Sequence, residues 1–287
     1  MLEFFSPVSL KFGVWSSKFL LLSLLAGSNA FSANPSFTQT NAHPSLFLIG
    51  DSTVNNSTKG LQGWGTPIAA FFDQTKINVQ NKARGGRSSR TYYTEGLWEE
   101  VRKALKPGDF VLMQFGHNDG GPLSDGRARA SLKGNGDETQ EIENKTTGKK
   151  EIVYTYGWYL RKYISEAKAA GTTPTVLSLV PRNIWNQDKV VRATNDYGKW
   201  AAEAAKAEGA LFIDLNGIIA TRYEEAGKDK VQQLYFTAAD HTHTTPVGAE
   251  LNAASVVEGL RALKSCPLAG YLKSVEKVRL GPNPNNE

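Results

Sequence analysis

The chain has 287 residues, 40% of them hydrophobic and 21% charged, with a formal net charge of +5. These values describe one folded domain or two small ones, long enough to bury a core without disulfide or metal staples. So mild a positive excess steers anionic partners. It leaves no nucleic-acid footprint, since zinc-finger spacing and arginine-rich runs are both missing.

The first thirty residues read as a signal peptide. Lys11 and Lys18 precede the apolar run Phe19–Ala26, and Ser28-Asn29-Ala30 supplies small residues for cleavage. That run falls far short of the ~20 apolar residues needed to span a bilayer, so the reading is export without membrane retention. A single cysteine, Cys266, excludes an internal disulfide. Asn55-Asn56-Ser57, Asn56-Ser57-Thr58 and Asn144-Lys145-Thr146 fit the glycan acceptor pattern, which matters only in a eukaryotic host.

Beyond the leader, short apolar runs alternate with amphipathic ones. Ser45–Gly50, Ile77–Gln80, Phe110–Phe115, Thr175–Val180 and Ala210–Leu215 are predicted strands. Their unbroken apolar character predicts a parallel sheet covered on both faces. Tyr156, Leu160, Tyr163 and Ala167 recur at helical spacing and Gly171 marks the stop. Val247, Leu251, Ala254 and Val257 repeat the pattern after Pro246. The alternation predicts a doubly wound α/β domain. Residues 120–153, rich in glycine and charge, read as a surface insertion directly after the third strand.

Ligands of open α/β sheets bind outside the carboxyl ends of the strands. The first strand runs into Gly50-Asp51-Ser52-Thr53, the second into Ala83-Arg84-Gly85-Gly86-Arg87-Ser88, and the third into Gly116-His117-Asn118-Asp119. Ala239-Asp240-His241-Thr242-His243 precedes the last helix. These are the parts of an acyl-transfer site. A serine needs an imidazole to take its proton, and the imidazole needs a carboxylate to fix its tautomer. Ser52, His243 and Asp240 supply them, the last two close enough in sequence to share a turn. The backbone N–H groups of Ser52 and Gly86 and the side-chain amide of Asn118 are candidate oxyanion donors. Gly86, lacking Cβ, allows close approach of its backbone.

These blocks resemble the GDSL/SGNH hydrolase superfamily and, within it, the rhamnogalacturonan acetylesterases of carbohydrate esterase family 12. Asn81–Arg90 and Tyr156-Gly157-Trp158-Tyr159 are similar to its bacterial branch. The resemblance spans roughly residues 45–263. It implies a flavodoxin-like three-layer α/β/α fold with a central parallel five-stranded sheet, and neither metal nor cofactor. It also implies an acetylated pectic substrate, Ser52 as nucleophile, and Asp240 and His243 as its triad partners. Ser52, Gly86 and Asn118 become the oxyanion hole. The hydrolase domain is read as residues 45–265, with 266–287 as a C-terminal tail.

Each motif has a plainer reading. Gly-Asp-Ser commonly marks a turn, and Asp-x-x-His can be a helix cap with a surface histidine. It is their conjunction, in order and each at a strand end or helix start, that carries the catalytic reading. A metal-dependent hydrolase using Asp240, His241, His243 and Asp119 is one rival. A carbohydrate- or nucleotide-binding module is another, weakened because no Gly-x-Gly-x-x-Gly fingerprint is present. An acetylated xylan is the alternative substrate. Arg84, Arg87 and Arg90 crowd the Gly86 loop, so Arg87 is a candidate partner for a substrate carboxylate. His241 is a candidate for lining the pocket, and His117 reads as structural or substrate-adjacent.

Overall fold

Every residue of β1 (Ser45–Gly50) after the first is buried, which is what an unbroken apolar run predicts for a strand covered on both sides. The structure, a computed structural model, describes residues 43–274; the expected signal peptide lies outside them. β1 pairs in parallel with β2 (Asn78–Asn81) and β3 (Phe110–Gln114). β3 pairs with β4 (Thr173–Leu177), and β4 with β5 (Leu211–Ile213). The order is β2-β1-β3-β4-β5, one five-stranded sheet.

Successive side chains along each strand enter opposite cores. Leu46, Leu48, Phe110, Leu112 and Leu177 face one; Phe47, Ile49, Val111, Met113 and Val176 face the other. The second core is closed by α1 (Ser89–Thr94), α2 (Leu97–Ala104), α3 (Tyr156–Ala169) and α4 (Tyr197–Ala207). The first is closed by α5 (Leu215–Ala226) and α6 (Pro246–Ala262). This is the three-layer α/β/α sandwich.

Several boundaries differ from the sequence reading. β5 stops at Ile213 because Asp214 caps the next helix, its carboxylate accepting the Gly217 N–H at 3.1 Å, so Leu215 opens α5. On α6 the buried stripe is Ala249, Ala253, Val256 and Leu260, whereas Val247, expected inside, is 54% exposed in the first turn. The presumed tail is folded at its start. Pro267–Tyr271 form a 3-10 turn with Leu268 buried, and Leu272 bridges to Phe72.

The segment after β3 contains an antiparallel hairpin, Thr139–Asn144 with Lys149–Tyr154. Its strands are largely exposed, as expected of an insertion, but the approach to it is not. Ala128, Ala130 and Ser131 are buried.

Candidate active site

Ser52 stands on a turn whose position is fixed from below. Gly50 ends β1 so close to β3 that a Cβ there would lie 2.4 Å from the Gln114 carbonyl oxygen. The chain then curls, the Asp51 carbonyl accepting the N–H groups of Val54 and Asn55, both at 3.1 Å. The buried Asp51 carboxylate accepts the Thr53 N–H at 2.8 Å and hydroxyl at 2.7 Å. The Gln114 amide donates to that hydroxyl at 2.6 Å and receives the Trp64 indole N–H at 2.8 Å. This buried polar chain rigidifies the turn it holds, while the second Asp51 oxygen, Oδ2, is buried with no hydrogen-bond partner among the described residues.

From the far end of the domain, the short strand Asp240–Thr244 brings His243 to this turn. It pairs with Phe236–Thr237 and is pinned to Gln62, whose N–H donates to the Thr244 carbonyl at 2.8 Å. Ser52 Oγ lies 2.8 Å from His243 Nε2, and His243 Nδ1 lies 2.6 Å from Asp240 Oδ2. The other oxygen, Oδ1, accepts the backbone N–H groups of Thr242 at 2.7 Å and His243 at 2.9 Å. Partial burial pushes the Asp240 carboxyl upward, but these N–H donors and the imidazole outweigh it and hold it below its usual range. An anionic Asp240 fixes the proton on Nδ1, so Nε2 presents its lone pair to the Ser52 hydroxyl.

Beside the serine, Gly85-Gly86 passes so near that a Cβ on Gly85 would be 3.7 Å from Ser52 Cβ. Gly86 has φ +78°, in the left-handed region that favours glycine. Among the described residues, the backbone N–H groups of Ser52 and Gly86 donate to no protein acceptor. The Asn118 amide donates one N–H to the Arg87 carbonyl at 2.9 Å and retains a second. Ser52, Gly86 and Asn118 all line one cleft of about 980 Å³ together with Asp240 and His243.

Two buried titratable groups flank Asn118. Asp119 accepts the Ser89 N–H at 3.1 Å, the Ser89 hydroxyl, and the Ser131 hydroxyl at 2.9 Å. Burial raises its carboxyl to about 6 despite those donors. The ring nitrogens of His117 are buried with no hydrogen-bond partner among the described residues. Burial lowers that imidazole to about 4, the nearby Asp51 carboxylate opposing the shift.

The arginines of the Gly86 loop go their separate ways. Arg87 does not line the cleft; its guanidinium pairs with Glu95 at 2.8 Å. Arg90 is wholly buried and pairs with Glu151 of the hairpin at 2.7 Å. Only Arg84 faces the cleft, joined there by Lys82, Arg127, Arg129 and Arg182. Among the described residues Arg84, Arg127, Arg129 and Arg182 have no carboxylate within salt-bridge distance. His241 is exposed, its ring against the Thr242 hydroxyl at 3.2 Å, and lies outside the cleft lining. Arg182 follows the end of β4, so the strand-end rule that found the other loops would have found it too. Arg127 and Arg129 lie in the insertion, where no motif marks them.

The ligand set of the metal-dependent rival is divided among separate partnerships. His243 is engaged by Ser52 and Asp240, His241 by Thr242, and Asp119 by Ser89 and Ser131. Among the described residues no group of three or more His, Cys, Asp or Glu is gathered to hold a metal ion.

Residues 48–251 match the model of the GDSL-like lipase/acylhydrolase family. The chain is 35% identical to a rhamnogalacturonan acetylesterase of Emericella nidulans over 208 residues, covering 72% of this chain and 81% of that protein. It is 28% identical to a probable rhamnogalacturonan acetylesterase of Bacillus subtilis, covering 76% and 93%. Among solved structures, the Bacillus subtilis protein YxiM superposes with a TM-score of 0.61 at 22% identity, over 76% of this chain and 56% of that one. At that identity the likeness bears on fold alone. The chain belongs to the GDSL-like lipase/acylhydrolase family, and it is a carboxylic ester hydrolase of the SGNH type.

Proposed function

We propose that this protein is an exported serine acetylesterase that deacetylates a pectic polysaccharide through an acyl-enzyme. The observation that carries the reading is the unbroken relay Ser52 Oγ–His243 Nε2, His243 Nδ1–Asp240 Oδ2, at 2.8 and 2.6 Å. Ser52 passes its proton to His243 as Oγ attacks the acetyl carbon. The tetrahedral oxyanion is met by the N–H groups of Ser52 and Gly86 and the Asn118 amide. Collapse expels the sugar hydroxyl, which takes its proton from His243. A water, deprotonated by the same imidazole, attacks the acetyl-serine and acetate leaves.

The acetyl and pectic assignments are supported by the relatives named rhamnogalacturonan acetylesterase, and the anionic substrate by the cations of the cleft. Arg84 and Arg127 are exposed there and free to meet a galacturonate carboxylate. Export rests on the charged and apolar pattern of residues 1–30.

The test is Ser52→Ala together with a serine-directed phosphonate. The variant should lose turnover by ~10⁴ or more and the wild type should be labelled at Ser52. Retained activity, or labelling at another serine, would end the nucleophile assignment. Acetate release from acetylated rhamnogalacturonan against acetylated xylan decides the substrate.

A further inference from the structure

The inserted segment after β3 reaches back to the oxyanion loop at one point. The Arg129 guanidinium donates from Nη1 to the Gly86 carbonyl at 2.9 Å. It lies directly over that glycine, 3.6 Å from where a Cβ would be. Arg129 is itself fixed from several sides. Its carbonyl accepts the Ser88 hydroxyl. Its neighbour Ala130 accepts Arg90 Nη1 at 2.8 Å, and Ser131 is bonded to Asp119. The preceding Ala128 has φ +45° and is buried. An alanine persists in that region only where its surroundings impose it.

Gly86 needs such a partner. With no side chain and a left-handed φ, its peptide planes are free to rotate unless an outside group fixes them. Asn118 holds the next carbonyl, that of Arg87, at 2.9 Å. Arg129 holds the Gly86 carbonyl on one side of the residue. On the other, Arg87 Nη1 holds the Gly85 carbonyl at 3.3 Å, in the peptide plane that carries the Gly86 N–H, so with both planes held the direction of that N–H is set. The same contact leaves a cation lining the cleft beside Gly86, with no carboxylate in salt-bridge distance and the buried Asp51 and Asp119 acting on it only from further off.

The geometry points to Arg129 as a positioning residue of the oxyanion hole, supplied by the insertion. The inference rests on the reading of Gly86 as an oxyanion donor.

The experiment is steady-state kinetics on p-nitrophenyl acetate, which has no carboxylate for an arginine to bind, with Ser52→Ala run beside it. Arg129→Ala should lower kcat by roughly ten- to a hundredfold, less than loss of a direct donor, with KM changed less than twofold. Arg129→Lys should recover part of the loss, and millimolar guanidinium should partly restore Arg129→Ala while leaving Ser52→Ala inactive. Unchanged kcat with Arg129→Ala would overturn the inference, whatever happens to KM for a pectic substrate. A kcat loss matched by an equal fall in phosphonate-labelled sites, unresponsive to guanidinium, would overturn it too, as that means misfolding. If Ser52→Ala stays active, it is the serine reading that has failed, whatever Arg129 does.

Discussion

Arg90, wholly buried in the first turn of α1, meets Glu151 of the inserted hairpin at 2.7 Å, across 61 residues of sequence. It also donates to the carbonyls of Leu123 and Ala130. The pair therefore fastens the hairpin and the Arg129 segment to the helix that follows the oxyanion loop.

Glu151→Ala leaves the guanidinium buried and unpaired. Removing one partner of a buried pair costs about 3–5 kcal/mol, and the partial exposure of Glu151 favours the lower end. Urea unfolding should show a loss near 3 kcal/mol, with kcat falling as well because the Arg129 segment loosens. A loss below about 1 kcal/mol would mean the pair is solvated like a surface one.

Asp119 and His117 should tilt stability in opposite directions with pH. The Asp119 carboxyl sits at about 6 in the fold against an ordinary 3.8, so its contribution is complete below about pH 4 and is lost as pH rises through 6. The His117 imidazole sits at about 4 against 6.5, so its contribution is complete above pH 6.5 and is lost as pH falls through 4. Each shift amounts to roughly 3 kcal/mol, so in the wild type the two slopes largely cancel. Asp119→Asn should therefore lose stability on acidification from pH 6.5 to 4, and His117→Gln should gain it. Denaturant midpoints measured across that range check both signs. Parallel slopes in the two variants would contradict the assignment.

Asn118→Ala removes an amide directed at the cleft and also frees the Arg87 carbonyl. Loss of one preorganised oxyanion donor lowers kcat by roughly 10²–10³, with KM much less affected. Kinetics on an aryl acetate read this directly, and an unchanged kcat would take Asn118 out of the hole.

On the proposed reading of an anionic substrate, the arginine to test is the exposed Arg127 of the cleft and not Arg87, which is tied to Glu95. Arg127→Ala should raise KM for an acetylated pectic oligomer about two- to fivefold at low salt, the scale of one solvent-exposed ion pair. The difference should shrink as salt rises, because the screening length is ~10 Å at 0.1 M. The aryl acetate should respond to neither change. Equal responses on charged and neutral substrates would dismiss the cationic cleft as a recognition device.

Much of this architecture was legible in the residues. The apolar runs located β1, β3 and β4, because a strand buried on both faces cannot hide a polar position; β2 was found as well, though Asn78–Asn81 is an edge strand with none of its residues buried. The strand-end loops then supplied Ser52, Gly86 and Asn118. The ends of elements were harder, since a cap such as Asp214 acts through one hydrogen bond that periodicity does not register. The arginines were harder still. Arg87 and Arg90 are three residues apart, yet one turns to Glu95 at the end of α1 and the other to Glu151, 61 residues on, a choice that spacing does not register. Arg129 reaches the site only because Ser88, Arg90 and Asp119 pull its segment inward, and none of these contacts is local in sequence.

Ser52 and His243 are 191 residues apart, though their side chains touch. The contacts of the aromatic cluster of Tyr92, Trp98, Phe115 and Tyr163, by contrast, all close within residues 92–163, well under half that separation. Local contacts form early and distant ones late, since closing a longer loop forfeits more chain entropy. During refolding, near-ultraviolet dichroism from those rings should return before ester hydrolysis does. The enzyme thus carries its own gauge of completion, with turnover reappearing only after the last strand has docked.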